Sequence, residues 1–436
     1  MRRQWAVGQG FFHTAEITAD SSRSVLRYVY DCGATAAYDS ALARDVTSYR
    51  GVLGGNLDLL FLSHMHHDHV GGVDRLLASA GGGPKVDTVV LPMVDDVERI
   101  IAFAAMLVWD APSGQRDFYR DLMVNPVEAL GRFSPRRVIL VRSGRGDGGG
   151  GGVPFGEFPQ PPFQGPEGEP LDPIKGEGWR IVGYGPVRRQ RAVPGASSSS
   201  QANGVFVMPD TDAILVGDPT AAPWLLAPFL DPMVRQEKDT FLDALARELG
   251  SGRNEAERRI ADPARRRVLL VDNRAELRRA YDALKGNLNL TSLALLSAPA
   301  TQRPSSGQWH LQGEKRSMVG NWARDGGPAR VGWLGTGDAH FGDDKRRGAF
   351  LRHFRPHLGK VHTLTLPHHG AEKNFHGELL TAVEPLLCTV AADKTKDWRH
   401  PASTVVQSVA SAGVDLRPVT SATPSALTEQ LVVEWA

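Results

Sequence analysis

Cysteine is nearly absent from this sequence: Cys32 and Cys388 are the only two in 436 residues. That excludes a disulfide framework and fits a reducing compartment. Charge of one sign is missing too, since 50 Lys and Arg stand against 49 Asp and Glu, a net charge of +1. No global basic excess exists to drive nucleic-acid or membrane binding, so any polyanion contact must be local. There is no run of about 18 uncharged apolar residues, so no transmembrane helix is expected. Met1-Arg2-Arg3-Gln4-Trp5 is not followed by the apolar stretch of an export signal, and the expectation is a soluble cytoplasmic chain. Hydrophobic residues at 41% and charged residues at 23% exclude wholesale disorder. The length allows one large domain or two to three ordinary ones.

What is there alternates strand and helix signals. Trp5–Phe12 and Ser24–Asp31 read as paired strands, ending at the turn Cys32-Gly33. Leu59–Leu62 and Thr88–Pro92 read as strands, Val73–Ala80 and Asp95–Val108 as helices, which argues for an α/β class. Residues 142–177 break the pattern with the glycine run Gly148–Gly152 and seven prolines, a loop rather than an element. Ser197–Ser200 is a second loose spot. Residues 205–285 look inserted: Ala213–Val216 is a strand pattern, and Gln236–Leu249 and Arg274–Leu284 are amphipathic helix patterns. Strands return at Ser292–Leu296, Val331–Leu334, 361–366 and 430–435, with a helix at 402–412. No internal repeat of fixed period is visible. Three segments follow: an N-terminal half 1–186, an inserted α/β region 187–286 and a C-terminal half 287–436.

The most informative stretch is Ser63-His64-Met65-His66-His67-Asp68-His69-Val70-Gly71-Gly72, between an apolar strand and a helix. Imidazole and carboxylate are ligands for zinc, manganese or iron. In such a loop His64 and His66 can point to one metal while Asp68 and His69 point to a neighbour. So many titratable groups after an apolar strand serve no packing purpose, which favours a metal site over a solvated polar loop.

His-x-His-x-Asp-His after a strand resembles the metallo-β-lactamase fold superfamily, and the resemblance implies an αββα sandwich, here with a large insertion. Asp31-Cys32-Gly33 is similar to the strand end that abuts the metal loop. Leu334-Gly335-Thr336-Gly337-Asp338 resembles the later G-D loop whose aspartate bridges two metals, and Leu366-Pro367-His368-His369-Gly370 the final histidine ligand. Val7-Gly8-Gln9-Gly10, Asn289-Leu290-Thr291-Ser292-Leu293, Pro367-His368-His369-Gly370 and His400-Pro401 resemble, in order, motifs of the hydrolase domain of ComEC-type DNA-internalisation competence proteins. The likeness covers roughly 4–140, 178–186 and 287–436. The chain departs from that family in lacking its membrane channel, in Ala371 where the family has serine, and in having no histidine between His69 and His310 for the mid-chain ligand.

The resemblance implies two divalent ions, Zn or Mn, or one tightly bound ion if the thinner first site fails. His64, His66 and Asp338 serve the first, and Asp68, His69, Asp338 and His368 the second. Asp338 as bridge would set two cations about 3.5–4 Å apart, sharing a hydroxide. Strand alternation points one of His368 and His369 inward, and His368 is favoured. Asp68 and His400 are the catalytic candidates; His400 would protonate a leaving group or hold a phosphate, with a surface histidine as the bland alternative. His340 and His310 are weaker candidates for the missing ligand. Lys373 and His376 fit an anionic substrate or a solvated loop, and His67 is expected to face away. Gly217-Asp218 imitates the bridging motif, but Asp338 has the family order. Asp31 is expected to fix the loop by hydrogen bonds, and Cys32 to be a buried filler.

The leading functional expectation is a metal-dependent phosphodiesterase, a nuclease in the resembled family, acting on a phosphate-containing substrate such as nucleic acid. The arginines of 253–280 read as a salt-bridged helix surface rather than a basic patch. The alternatives are a hydrolase of a small ester, lactone or phosphate monoester, with Trp224, Phe229 and Phe241 walling a pocket, and a non-catalytic metal-binding subunit of a multi-protein bacterial system that docks through 187–286.

Overall fold

The computed structural model describes residues 1–20, 23–78, 82–109, 116–143, 175–176, 178–183, 188–189, 204–217, 223–233, 235–284, 290–300, 306–313, 317–321, 330–394 and 399–434. The runs Gly148–Gly152 and Ser197–Ser200, the residue Asp218 and the expected segment boundaries near 186 and 286 lie outside them.

Among the described residues two sheets form the centre. In the larger, of eleven strands, Arg23–Ala34, Leu57–Phe61, Val86–Pro92, Arg137–Arg142 and Val205–Pro209 run parallel and side by side. In the smaller, of nine, Gly332–Gly335, Val361–Thr365, Leu387–Ala391 and Asp415–Val419 do the same. Parallel strands buried on both faces read as continuous apolar runs, which is why Leu59–Leu62 was legible. Their side chains alternate. Leu60, Val89 and Val138 turn towards helices, while Leu59, Phe61, Val90 and Ile139 turn towards Leu226, Leu293, Leu295 and Trp333 of the other sheet. Each such side chain, fully buried, contributes roughly 1.5–3 kcal/mol.

Helices cover both outer faces, giving four layers, α/β/β/α. Asp344–Phe354, Glu378–Val383 and Ser403–Ser411 pack on the smaller sheet. Asp39–Val52, Asp96–Trp109 and Arg116–Val124 pack on the larger. The stretch 187–286 enters this frame directly: Val205–Pro209 extends the larger sheet, and Ala213–Val216 and Trp224–Asp231 the smaller. Its four helices, Arg235–Glu248, Arg253–Ala261, Pro263–Asp272 and Arg274–Asp282, share the apolar cluster of Ile101 and Leu122 through Phe241, Leu245, Leu269 and Leu277. Asp262 caps Pro263–Asp272 by accepting from the Arg265 amide at 2.8 Å, with Pro263 opening the helix. The buried Arg266 pins it to Asp96 and to the Val124 carbonyl. These helices thus thicken the outer helical layer. Among the described residues no helix is long and apolar enough to cross a membrane.

Candidate metal centre

Strand Leu57–Phe61 delivers Ser63 and His64 to the carboxyl edge of the parallel strands, and a short helical turn, His67–Val70, carries Asp68 and His69 back over it. The end of Arg23–Ala34 lies directly beneath. A Cβ at Gly33 would stand 2.5 Å from the Asp68 carbonyl carbon, so only glycine lets the loop settle there. Asp31, fully buried, accepts from the Ser63 amide at 2.6 Å, from the Ser63 hydroxyl at 2.6 Å and from His69 Nδ1 at 2.8 Å.

These bonds settle which nitrogens carry protons. A carboxylate only accepts, so His69 carries its hydrogen on Nδ1. The Ser63 hydroxyl spends its one hydrogen on Asp31 and therefore accepts from His64 Nδ1 at 2.8 Å. The Ala391 carbonyl accepts from His369 Nδ1 at 2.7 Å. In the neutral rings all three histidines then aim an Nε2 lone pair at a carboxylate. His64 Nε2 stands 3.2 Å from Asp338 Oδ2, His69 Nε2 3.4 Å from Asp338 Oδ1, and His369 Nε2 3.1 Å from Asp68 Oδ2. Lone pair facing anion in a buried site is repulsive without positive charge between them. Buried His64 Nε2, His66 Nε2, His69 Nε2, Asp338 Oδ1 and His368 Nδ1 make no hydrogen bond. Without a cation, protons must serve. Burial alone would lower the pKa of His69, but Asp338, Asp68 and Asp31 outweigh it and hold it well above the ordinary value. Burial lowers His64 to about 4. Asp338, which burial alone would raise, is held well below the carboxylate range by His368, His64 and His69. Nitrogen and carboxylate donors in this arrangement fit a first-row divalent ion.

Three donor triads lie close enough to hold one: His64 with Asp68 and His69, His64 with His66 and Asp338, and His69 with Asp338 and His369, each with its atoms within 4.8 Å of one another. Asp338 is central because its turn is held from several sides. Its amide donates to Ser292 Oγ at 3.0 Å, and Asn374 Nδ2 donates to its carbonyl at 3.2 Å. Gly337, at φ +52, could carry no Cβ without meeting Ser292 Oγ at 2.5 Å. Around Asp338 Oδ2 also stand His66 Nδ1 at 3.9 Å and His368 Nε2 at 3.6 Å.

His368 and His369 do not alternate as on a strand. The strand stops at Thr365, and the two residues take left-handed φ values of 48° and 54° in a tight turn. Asp31, at φ 59°, is strained likewise; such conformations cost about 1–3 kcal/mol each and gather at functional sites. It is His369, rather than the favoured His368, that faces Asp68.

The remaining candidates scatter. The His400 ring lies 6.3 Å from that of His368, and burial, helped by His369 and His368, lowers its pKa to about 4. His67 packs edge-on against Tyr119, away from the cluster. His340 donates its amide to Asp231, His376 accepts from the Glu378 amide, Lys373 is exposed, and His310 sits on the sheet strand Ser306–Gln312; none joins a donor triad. Cys32 is fully buried with its thiol pKa raised by burial, unsuited to a nucleophile. Sequence reasoning saw Ser63 and Ser292 only as letters of longer stretches and gave Asn374 no role; nothing in their spacing marks them as supports.

The expected pocket wall is not formed. Phe241 belongs to the helical core on the larger sheet, Phe229 to the core outside the smaller one, and Trp224 donates Nε1 to Ser297 at 2.8 Å near Trp309 and Leu431. The reason is the strand geometry of Trp224–Asp231, whose alternate residues face opposite layers. Most arginines of the 253–280 stretch are paired, Arg253 with Asp243 and Glu257, Arg258, Arg259 and Arg265 with Glu255, Arg267 with Asp121, and Arg279 with Glu248, while Arg274 donates to the Leu270 carbonyl.

No curated protein matches the chain. A family model described as the metallo-beta-lactamase superfamily matches residues 27–268, a span that includes the histidine loop and more than half of the 436 residues.

Proposed function

The chain belongs to the metallo-beta-lactamase superfamily, and we propose on that footing that its buried His/Asp cluster makes it a metal-dependent phosphodiesterase of the ComEC-like kind, acting on nucleic acid or a related phosphodiester. The observation that carries the metal reading is the set of neutral-ring lone pairs aimed at Asp68 and Asp338. The phosphodiester reading is supported by the ordered motifs from Val7-Gly8-Gln9-Gly10 to His400-Pro401.

His64, His66, Asp68, His69 and Asp338 would hold the ions, with the His368-His369 pair. Divalent cations bound there would lower the pKa of water and stabilise charge on phosphoryl oxygens. The rest falls to the protein. Asp31 and the Ala391 carbonyl fix the tautomers of His69 and His369. Ser292 and Asn374 hold the Asp338 turn against the pull of charge. His400, neutral above about pH 4, can donate an N–H hydrogen bond to a phosphate oxygen.

The test is hydrolysis of bis(p-nitrophenyl) phosphate with manganese, zinc or EDTA, by the wild type and Asp68→Ala. Metal-dependent turnover lost in the variant is the expected result. Turnover of small esters alone would replace the phosphodiester reading, and none on either class would leave a metal-binding subunit.

A further inference from the structure

We infer that both histidines of the Pro367–Gly370 turn are metal ligands, one for each ion: His369 completes the site of Asp68 and His69, and His368 takes the place of the absent mid-chain histidine beside His64 and His66. The inference rests on the two-cation reading above and adds a ligand set that the motif order does not supply.

The sequence leaves the first site short, because no histidine lies between His69 and His310. Later histidines are engaged elsewhere. His353 Nε2 bonds the Pro228 carbonyl, His362 Nδ1 bonds Thr363, and His357 stands beside Lys360. His310 is on a sheet strand pairing with Gln430, and His340 follows its amide to Asp231. His368 alone among these reaches the oxygen that the first-site histidines share. Its Nε2 is 3.6 Å from Asp338 Oδ2, against 3.2 Å for His64 Nε2 and 3.9 Å for His66 Nδ1. His369 serves the other side. Its Nε2 is 3.1 Å from Asp68 Oδ2, and its ring lies 5.4 Å from that of His69.

The backbone explains how neighbours in sequence reach two sites. On a strand they would point to opposite faces. Here His368, His369 and Gly370 are all left-handed, at φ 48°, 54° and 76°, and the turn is held by the His368 amide donating to the Gly337 carbonyl at 3.0 Å. That bond ties the turn to the residue before Asp338. A Cβ at Gly370 would meet Pro401 at 2.7 Å, so the turn is also closed from behind. The two rings therefore flank the carboxylate pair, 6.1 Å apart and nearly perpendicular at 72°.

The experiment is zinc content of the full-length chain, loaded with zinc and desalted, for the wild type, His64→Ala, His368→Ala, His369→Ala and the doubles His64→Ala/His368→Ala and His64→Ala/His369→Ala. The inference expects two ions in the wild type and one in each single variant. The first double keeps one ion, because both changes fall on one site, and the second keeps none. Two ions retained by His368→Ala would overturn it. So would loss of both ions from the first double with one kept by the second, which would exchange the roles. A wild type that binds no zinc would sink the two-cation reading itself, a different result from either. His368→Gln, checked by thermal unfolding and by the visible spectrum of the cobalt-loaded protein, repeats the comparison with side-chain volume retained; an unchanged cobalt spectrum would count against a role for His368.

Discussion

Asp31 makes no direct claim on a metal, yet one carboxylate orients two ligands, His69 directly and His64 through Ser63. Removing such a support costs about 10–100-fold in metal affinity in comparable sites. Asp31→Ala should therefore weaken zinc binding by about that factor in a chelator competition, with the donor atoms themselves intact; unchanged affinity would reduce Asp31 to a folding role. At this scale the sequence was readable where chemistry is concentrated. His64, His66, Asp68 and His69 share one loop, and Asp338 stands in a recognisable G-D turn. Ser63, Ser292 and Asn374 were not readable, because a serine or asparagine has the same letter whether it holds a catalytic turn or faces water. The preference for His368 over His369 rested on strand alternation, and the left-handed turn places neither residue on a strand.

Among elements, the strand end at Gly33 packs closely on the backbone of Asp68. Gly33→Ala forces that backbone to move and should lower both metal content and melting temperature, the latter by several degrees for a loss of about 1–3 kcal/mol. Gly51, in the helix Asp39–Val52, has nothing within 4 Å of a built Cβ. Gly51→Ala should raise stability by about 0.4–1 kcal/mol with metal content unchanged. The pair of melting curves checks both; a Gly33→Ala protein that melts and loads like the wild type would remove the close-packing argument. The helices expected at Gln236–Leu249 and Arg274–Leu284 appear as Arg235–Glu248 and Arg274–Asp282, and the strand Ala213–Val216 appears as read. Asp344–Phe354 has no clear periodic stripe, because its buried face includes Arg347 and His353, polar residues whose partners include Glu378 and the Pro228 carbonyl, distant in sequence.

For the whole molecule, the joint between the two sheets is partly polar. His13 of the larger sheet stacks on Trp333 of the smaller at 4.1 Å, fully buried, with neither ring nitrogen hydrogen-bonded. Burial lowers its pKa from 6.5 to about 3. The unfolded chain then binds this proton below pH 6.5 and the folded one does not until about pH 3, so stability falls as pH drops through that window and levels off beneath it. The full effect is on the order of a few kcal/mol. His13→Phe keeps the stack and should flatten this part of the pH–stability curve in urea unfolding; an unchanged slope would assign the acid lability elsewhere. The four-layer arrangement was legible only through family likeness, since no local pattern reveals which strands of 187–286 join which sheet.

The separation of Asp338 from the histidine loop has a temporal meaning. About 270 residues lie between His69 and Asp338. On a ribosome adding roughly 5–20 residues per second, the loop waits between a quarter of a minute and most of a minute for the carboxylate that joins its two halves. Through that interval the nascent loop has Asp31 and Ser63 as partners but lacks Asp338. Full coordination is therefore a late event in the life of each chain, a seal set on a finished fold and not a seed for it.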